Sequence, residues 1–467
     1  MTASADRGPI VPQHLVLVLP STGEFDSRTY RIATTAVARG HRVTVLARAQ
    51  AGLPTDEEHP AGYRILRIGA SSADGLPLPG LRGVIGRWLR RRRGLPATPA
   101  PADAASGAGL GGGPDDTGAP APAATALPAT TRRASLPRRA LAGLIRRLAI
   151  PLTIRSHRNN ALAAAPRGDL YHGMAYMGIP VALGLGDRDR APVVYDARDI
   201  YLEARNLARM RGPARWLLAA AERRWAHKAA RVVTVNDAYA DVLEERLRIE
   251  RPLVVMNCSY RYTPTPGPPR LLHERLGLPP ETPIVLYHGG LFPDRGIEQL
   301  IDAIDRVPSA HLVLMGYGVL ATSLPALTAA SPAAARIHLL PAVSPDVLHD
   351  WVASADVAAM PIQPSTLNHR LTTPNKLFEA MAAGTPVVAS DLPGMASIVT
   401  TTRCGELCDP TDAASIAAAI RTILEAPVEA RSGYGERGHA AAHARYNWEA
   451  QAATLFEEYA RRTGRAW

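Results

Sequence analysis

Leu15–Leu19 and Val43–Ala47 are apolar runs of strand length, and Arg28–Ala38 between them carries apolar residues at helical spacing. Strand, loop, helix, short turn and strand make a βαβ unit, with Arg39-Gly40-His41 leading into its second strand. Strands joined through a helix run parallel, so the chain is committed to a parallel sheet covered by helices. Further strands are predicted at Tyr63–Ile68, Asp169–His172, Val193–Tyr195 and Val232–Val235, with a long helix, Ala214–Ala230, before the last. The proline-dense stretch Thr263-Pro264-Thr265-Pro266-Gly267-Pro268-Pro269 then reads as a stiff linker. A second alternation follows it. Its strands are Ile284–Tyr287, His311–Met315, Ile337–Leu339, Val357–Met360 and Pro386–Ala389. Its helices include Ile297–Arg306, Asp346–Ala355, Pro374–Ala383 and Ala413–Leu424, and a last helix, Trp448–Arg462, closes the chain. At 467 residues, two similar α/β halves fit better than one core, and the crevice between them is the expected ligand site.

The net charge of +11 is not spread evenly. Leu81 to Arg147 holds twelve Arg, three Asp and no Lys or Glu, a surplus of +9 that leaves +2 for the rest. A nucleic-acid-binding protein carries its basic surface on the folded domain itself, so no nucleic acid is expected as a partner. Residues 94–131 are rich in Ala, Pro and Gly, too poor in apolar surface to offset ordering entropy, and are expected to be a disordered insertion. On one flank Leu81, Val84, Ile85, Trp88 and Leu89 recur at helical spacing beside Arg82, Arg87 and Arg90 to Arg93. On the other, Leu141, Leu144, Ile145 and Leu148 do so beside Arg138, Arg139, Arg146 and Arg147. Two basic amphipathic helices, 81–93 and 138–148, fit peripheral contact with anionic lipid, or packing on the first sheet with solvated arginines.

No apolar run approaches the ~20 residues that span a bilayer. Met1 to Pro12 shows no basic-then-apolar signal segment, so a cytoplasmic chain is expected, with those helices on the inner face of the membrane. Cys258, Cys404 and Cys408 cannot build a disulfide framework, and Cys404 and Cys408 have no second Cys/His pair beside them. No metal and no cofactor are expected.

The chemistry concentrates in two segments of the second half. In Leu371-Thr372-Thr373-Pro374-Asn375-Lys376-Leu377-Phe378-Glu379, Thr373 is a good N-cap and Pro374 a good first helical residue. A helix N-terminus with free amides and a positive dipole is a ready diphosphate site, and Lys376 in its first turn adds a full charge. Glu379 falls one turn further on the same face, where a carboxylate can accept both ribose hydroxyls. The same pair, i and i+3, would equally form an exposed surface ion pair. The second segment is Tyr287-His288-Gly289-Gly290-Leu291-Phe292-Pro293-Asp294-Arg295-Gly296-Ile297. Gly289 and Gly290 let backbone approach a ligand, and Arg295 suits a bidentate grip on phosphate; a plain tight turn would use the same glycines.

Together these segments resemble the donor half of family 4 glycosyltransferases, which opens with a Gly-Gly or Gly-Arg loop and carries a helix ending Glu-Ala-Met-Ala-x-Gly-x-Pro-Val-Val. Here that helix reads Glu379-Ala380-Met381-Ala382-Ala383-Gly384-Thr385-Pro386-Val387-Val388. By the resemblance Arg295 and Lys376 are the diphosphate-binding cations and Glu379 the ribose ligand, with Gly289, Gly290, Thr373 and Asn375 lining the donor site. The first half matches more loosely. Asp169-Leu170-Tyr171-His172-Gly173 resembles a strand ending in a site histidine, so His172 is expected to reach the transferred sugar. A strand-end histidine satisfied by backbone is the other reading. Val194-Tyr195-Asp196-Ala197-Arg198-Asp199 resembles the next strand and loop, which puts Asp199 on the acceptor side. The loop holding Gly23 and Glu24 is expected to face the acceptor too.

The resemblance implies a GT-B architecture: two Rossmann-like domains facing each other across a cleft. Residues 1–262 would bind acceptor and 263–445 nucleotide sugar, with 446–467 a helix packing back on the first domain. It also implies metal-independent transfer with retention, from a nucleoside-diphosphate sugar to a glycan, lipid-linked or small-molecule acceptor. Two departures stand out. Leu371 occupies the place of the family's first Glu, and Gly290 that of its first cation. With Leu371 unable to bond a sugar hydroxyl, loop amides at Thr372 to Asn375 are expected to meet the sugar. The chain resembles a Pro-Asn-Lys variant of the family in which Lys376 compensates for the missing cation. A GT-B sugar-nucleotide epimerase and a non-catalytic nucleotide-sugar-binding subunit are the alternatives. Asp187-Arg188-Asp189 imitates the metal motif of the other major glycosyltransferase fold, but its polar surroundings read as a solvated turn.

Overall fold

The structure, a computed structural model, describes residues 11–24, 26–69, 151–208, 210–263 and 270–467. The predicted insertion at 94–131, both basic helices and most of the proline-dense linker lie outside them. The described residues between 11 and 69 and from 160 to 467 belong to one compact unit, which holds both sheets; residues 151–159, helical, fall outside it.

The first sheet has strands β1 (His14–Val18), β2 (Arg42–Arg48), β3 (Asp56–His59), β4 (Tyr63–Ile68), β5 (Leu170–Met174), β6 (Val193–Ala197), β7 (Arg231–Thr234) and β8 (Leu253–Val254). Their order is β3-β4-β2-β1-β5-β6-β7-β8, parallel throughout except for the β3–β4 edge. The second sheet has β9 (Ile284–Gly290), β10 (His311–Tyr317), β11 (Ile337–Pro341), β12 (Val357–Met360), β13 (Val387–Ser390) and β14 (Gly405–Cys408), all parallel, in the order β11-β10-β9-β12-β13-β14. Every residue of β1, β5, β6, β12 and β13 is buried, as a sheet with helices on both faces requires.

Each half has an apolar core on either side of its sheet. The last helix, Trp448–Thr463, belongs to the first half's core: Trp448, Leu455, Phe456 and Tyr459 cluster with Leu15, Leu17, Ile32 and Val194. Trp448 Nε1 donates to Thr35 Oγ1 at 2.8 Å.

Where element bounds differ from expectation, local chemistry explains it. The helix expected from Pro374 spans Asn375–Ala383, with Pro374 in extended conformation at the N-cap position. Thr373 therefore does not cap it; its Oγ1 accepts from Asn236 Nδ2 at 3.2 Å instead. Strand β3 is Asp-Glu-Glu-His, with no apolar alternation to announce it. The helix Val428–Ala444 went unread because its apolar residues form no stripe. Asp187-Arg188-Asp189 is the last turn of the helix Ala175–Asp189 rather than a loop, with Asp187 exposed to solvent as expected. The Asp189 side chain is 3% exposed, ion-paired with Arg188 at 2.7 Å and hydrogen-bonded by the Tyr171 hydroxyl.

Candidate functional site

In an open parallel sheet, ligands bind beyond the carboxyl ends of the strands where the strand order reverses. In the second sheet that point lies between β9 and β12. β9 ends in Gly289 and Gly290, and Gly289 has φ +100°, a conformation that favours glycine. The loop beyond them is pressed onto the end of β12. A Cβ on Gly296 would lie 1.9 Å from the Pro361 carbonyl oxygen, so only glycine fits there. Arg295, just before it, is partly exposed, and among the described residues none hydrogen-bonds to its guanidinium.

The Asn375–Ala383 helix points its start at the same place. No side chain caps it, which leaves first-turn amides free for a ligand. Lys376 reaches toward Gly289: a Cβ there would lie 3.9 Å from Lys376 Cε. The Lys376 amine is enclosed, has no hydrogen-bond partner, and rests 3.4 Å from the centroid of the Tyr287 ring. Burial, with the charge of Arg295 beside it, pushes its pKa well below that of an ordinary lysine. An enclosed amine with no acceptor, next to an unpaired guanidinium, is a seat for an anion.

Glu379 accepts a hydrogen bond from His288 Nε2 at 2.9 Å. Burial alone would raise its pKa, but His288 and the Arg31 charge hold the carboxyl below the usual range. His349, on the helix Leu348–Ala353, is stacked on Tyr262 with ring centroids 5.0 Å apart, and its enclosed Nε2 has no partner. Sequence reasoning missed Tyr287, His288 and His349. A polar residue directly before Gly289 on a buried strand was the one signal available for His288.

Asn375 does not face the donor position freely. Its Oδ1 accepts from Asn257 Nδ2 at 2.8 Å and its Nδ2 donates to Ser27 Oγ at 3.2 Å, tying the helix to the first half. The short helix before it, Leu367–Leu371, is bound likewise. Asn368 donates to Asp199 at 2.9 Å, accepts from the Ile200 amide at 3.0 Å, and offers its carbonyl to the Tyr239 hydroxyl at 2.8 Å. Leu371 packs against the first half's core, and its carbonyl accepts from Asn236 at 2.8 Å. Apolar packing against the facing half thus occupies the position at which the family pattern carries a carboxylate.

The acceptor-side expectations fare differently. Asp199 is brought to the second half through Asn368. Gly23 packs beside Ala47 and Ile65, and Glu24 is exposed, its carboxylate 3.5 Å from Thr22 Oγ1. His172 is placed elsewhere altogether. It is fully buried in β5, its Nε2 donating to Asp196 at 3.0 Å and its Nδ1 lying 2.7 Å from the Tyr459 hydroxyl. A carboxylate can only accept, so Nε2 carries the proton and Tyr459 donates to Nδ1. Both ring nitrogens are used, and burial lowers the imidazole pKa against the pull of Asp196. His172 therefore does not reach out to a transferred sugar, and its partners are side chains rather than backbone. Asp196 is held well below the usual carboxylate range, against its burial, by Arg28 at 2.6 Å and by His172.

Compared with solved structures, the chain is similar to sucrose-phosphate synthase from Thermosynechococcus elongatus. The TM-score is 0.67 at 19% identity, over 96% of this chain and 98% of that one. This chain has the GT-B fold. A second GT-B neighbour is Anabaena HepE in complex with UDP, with TM-score 0.61 at 16% identity over 97% of this chain and all of that one. In sequence, residues 282–426 of the GT-B chain match the family described as glycosyl transferases group 1. That match contains the whole cluster from Tyr287 to Glu379. The D-inositol 3-phosphate glycosyltransferase of Xylanimonas cellulosilytica is 32% identical over 200 residues, 42% of this chain and 46% of that protein. The chain spans about half the length of the curated relatives it matches.

Proposed function

We propose that this chain is a retaining glycosyltransferase that moves a hexose-type sugar from a nucleoside-diphosphate sugar to a glycan, lipid-linked or small-molecule acceptor. The observation that carries this is the enclosed, unpartnered amine of Lys376 beside Arg295, at an uncapped helix start where the strand order reverses. Three sources of positive potential converge there. In glycosyl transfer the leaving diphosphate gains charge as the sugar bond breaks, and donors fixed in advance stabilise that charge. Arg295, Lys376 and the first-turn amides are those donors. Glu379 accepts the ribose hydroxyls, with His288 holding the carboxylate in orientation. Leu371 cannot bond a sugar hydroxyl, so the hydroxyls meet amides between Thr372 and Asn375. His172, buried with both ring nitrogens engaged, stays apart from the reacting sugar in this reading.

The match of residues 282–426 to the group 1 family supports this reading, as do relatives whose names are glycosyltransferases and a similar fold that binds UDP. The test is to incubate the purified chain with UDP-, GDP- and dTDP-sugars and follow nucleoside-diphosphate release. Slow hydrolysis of one donor is the expected result. A changed sugar nucleotide would instead mean an isomerase, and binding without turnover a non-catalytic subunit.

A further inference from the structure

The helix Pro213–Lys228 has an unusual outward face. Trp216 is 68% exposed and Leu217 59%, and they are adjacent. Continuing along the helix, Ala220, Arg224, His227 and Lys228 are the next exposed residues. At 3.6 residues per turn these positions fall within about 120° of arc, so they form one stripe. The stripe is apolar at its start and basic at its end, and contains no carboxylate. An ordinary solvated helix face mixes both signs of charge and rarely pairs an exposed Trp with an exposed Leu.

The helix's one acidic residue, Glu222, is 6% exposed and accepts from the Tyr195 hydroxyl at 2.8 Å. Glu203, close to the first turn, is paired with both Arg215 and Arg246 at 2.8 Å. Both of these carboxylates are therefore turned inward or paired, and the stripe itself carries only positive charge. Arg211, just before the helix, is exposed as well.

We propose that this stripe docks the protein on an anionic lipid bilayer, Trp216 and Leu217 entering the head-group layer while Arg224, Lys228 and Arg211 lie over lipid phosphates. Apolar side chains with a basic flank are the pattern that lies in a membrane interface, and each basic residue near an anionic surface multiplies affinity about fivefold. The stripe also sits on the acceptor side. Arg215, next to Trp216, donates to the Leu202 carbonyl at 2.6 Å, three residues beyond Asp199. A lipid-borne acceptor entering from the bilayer would meet that side first. Docking itself does not depend on the donor chemistry.

The test is flotation of the full chain with vesicles of neutral phosphatidylcholine alone and with about 30% anionic phosphatidylglycerol, in the absence of nucleotide. Wild type is expected to float with the anionic vesicles and not with the neutral ones. W216E/L217E and R224E/K228E are each expected to cut the bound fraction at least tenfold at an unchanged melting temperature, since all four residues are exposed. W216A/L217A is the milder control and should lose binding partially. Wild type that ignores anionic vesicles would overturn the proposal. So would unchanged binding in both charge variants, including the case where binding is lost only on replacing Arg90 to Arg93, which would assign docking to 81–93.

Discussion

The side-chain nitrogen of Lys376 lies 3.4 Å from the centre of the Tyr287 ring and has no hydrogen-bond acceptor. A cation–π contact of this kind contributes about 1–2 kcal/mol, less than a charge-assisted bond to phosphate, so an arriving diphosphate draws the amine off the ring. Lys376→Ala is expected to lower turnover about 100-fold, the scale for removing one preorganised donor, with the fold intact. Tyr287→Leu should raise nucleotide affinity about 5- to 30-fold, because the ring contact of about 1–2 kcal/mol given up on binding is no longer there to be broken. Titration calorimetry and product-release kinetics on both variants check this.

The same lysine makes binding proton-linked. Burial disfavours the ammonium in the empty site, so Lys376 loses its proton at lower pH than a free lysine. A bound diphosphate favours the charged form, and binding therefore takes up a proton. The uptake should appear as a binding heat that varies with the ionisation enthalpy of the buffer at pH values below the ordinary lysine range. It should vanish in Lys376→Met.

In the proposed donor site Glu379, held by His288 at 2.9 Å, is the ribose ligand. Glu379→Ala is expected to weaken nucleoside-diphosphate binding about 10- to 100-fold, as for loss of hydrogen bonds to a charged group. Inorganic pyrophosphate, which has no ribose, should bind wild type and variant alike. Equal weakening of both ligands would move Glu379 out of contact with the ribose.

Asp196 sits in the core between Arg28 and His172, all of them buried. Asp196→Ala leaves the Arg28 guanidinium without its partner and should cost about 3–5 kcal/mol, read as a shifted denaturant midpoint. His172→Gln should cost about 1–2 kcal/mol while donor hydrolysis by the folded fraction stays within about twofold. A His172 variant of full stability and no turnover would return that residue to the reacting sugar.

Burial raises the Glu222 carboxyl to about 7, above its ordinary 4.5. A folded pKa above the unfolded one means its contribution is fully present below about pH 4.5 and is lost as pH rises through about 7. Wild type should therefore lose up to about 3 kcal/mol between pH 5 and pH 8.5 from this group. Glu222→Gln should flatten that part of the profile, measured by chemical denaturation at each pH.

The parts of the site legible in the sequence are those that short stretches of chain define. Gly289, Gly290 and Arg295 follow a buried strand within a few residues, and Lys376 and Glu379 share a helix face because of the helical period. The alternation of strands and helices gave both parallel sheets for the same reason. Within the site, the Asn375–Ala383 helix starts one residue later than the local pattern gives, because Pro374 takes an extended conformation ahead of it.

What stayed illegible depends on partners far along the chain. His172 looked like a residue at an open strand end, and no local pattern reveals that Tyr459, 287 residues away, closes over it. Asn375 looked like a donor ligand, yet Ser27 and Asn257 hold it, and Leu371 looked like a lost carboxylate, yet it packs into the facing core. Periodicity and capping are set by neighbours in sequence, so the chain alone determined its two sheets and the cations at their reversal point. Which face of each residue is covered depends on strand order and on how the two halves pack, and only the tertiary structure decided that.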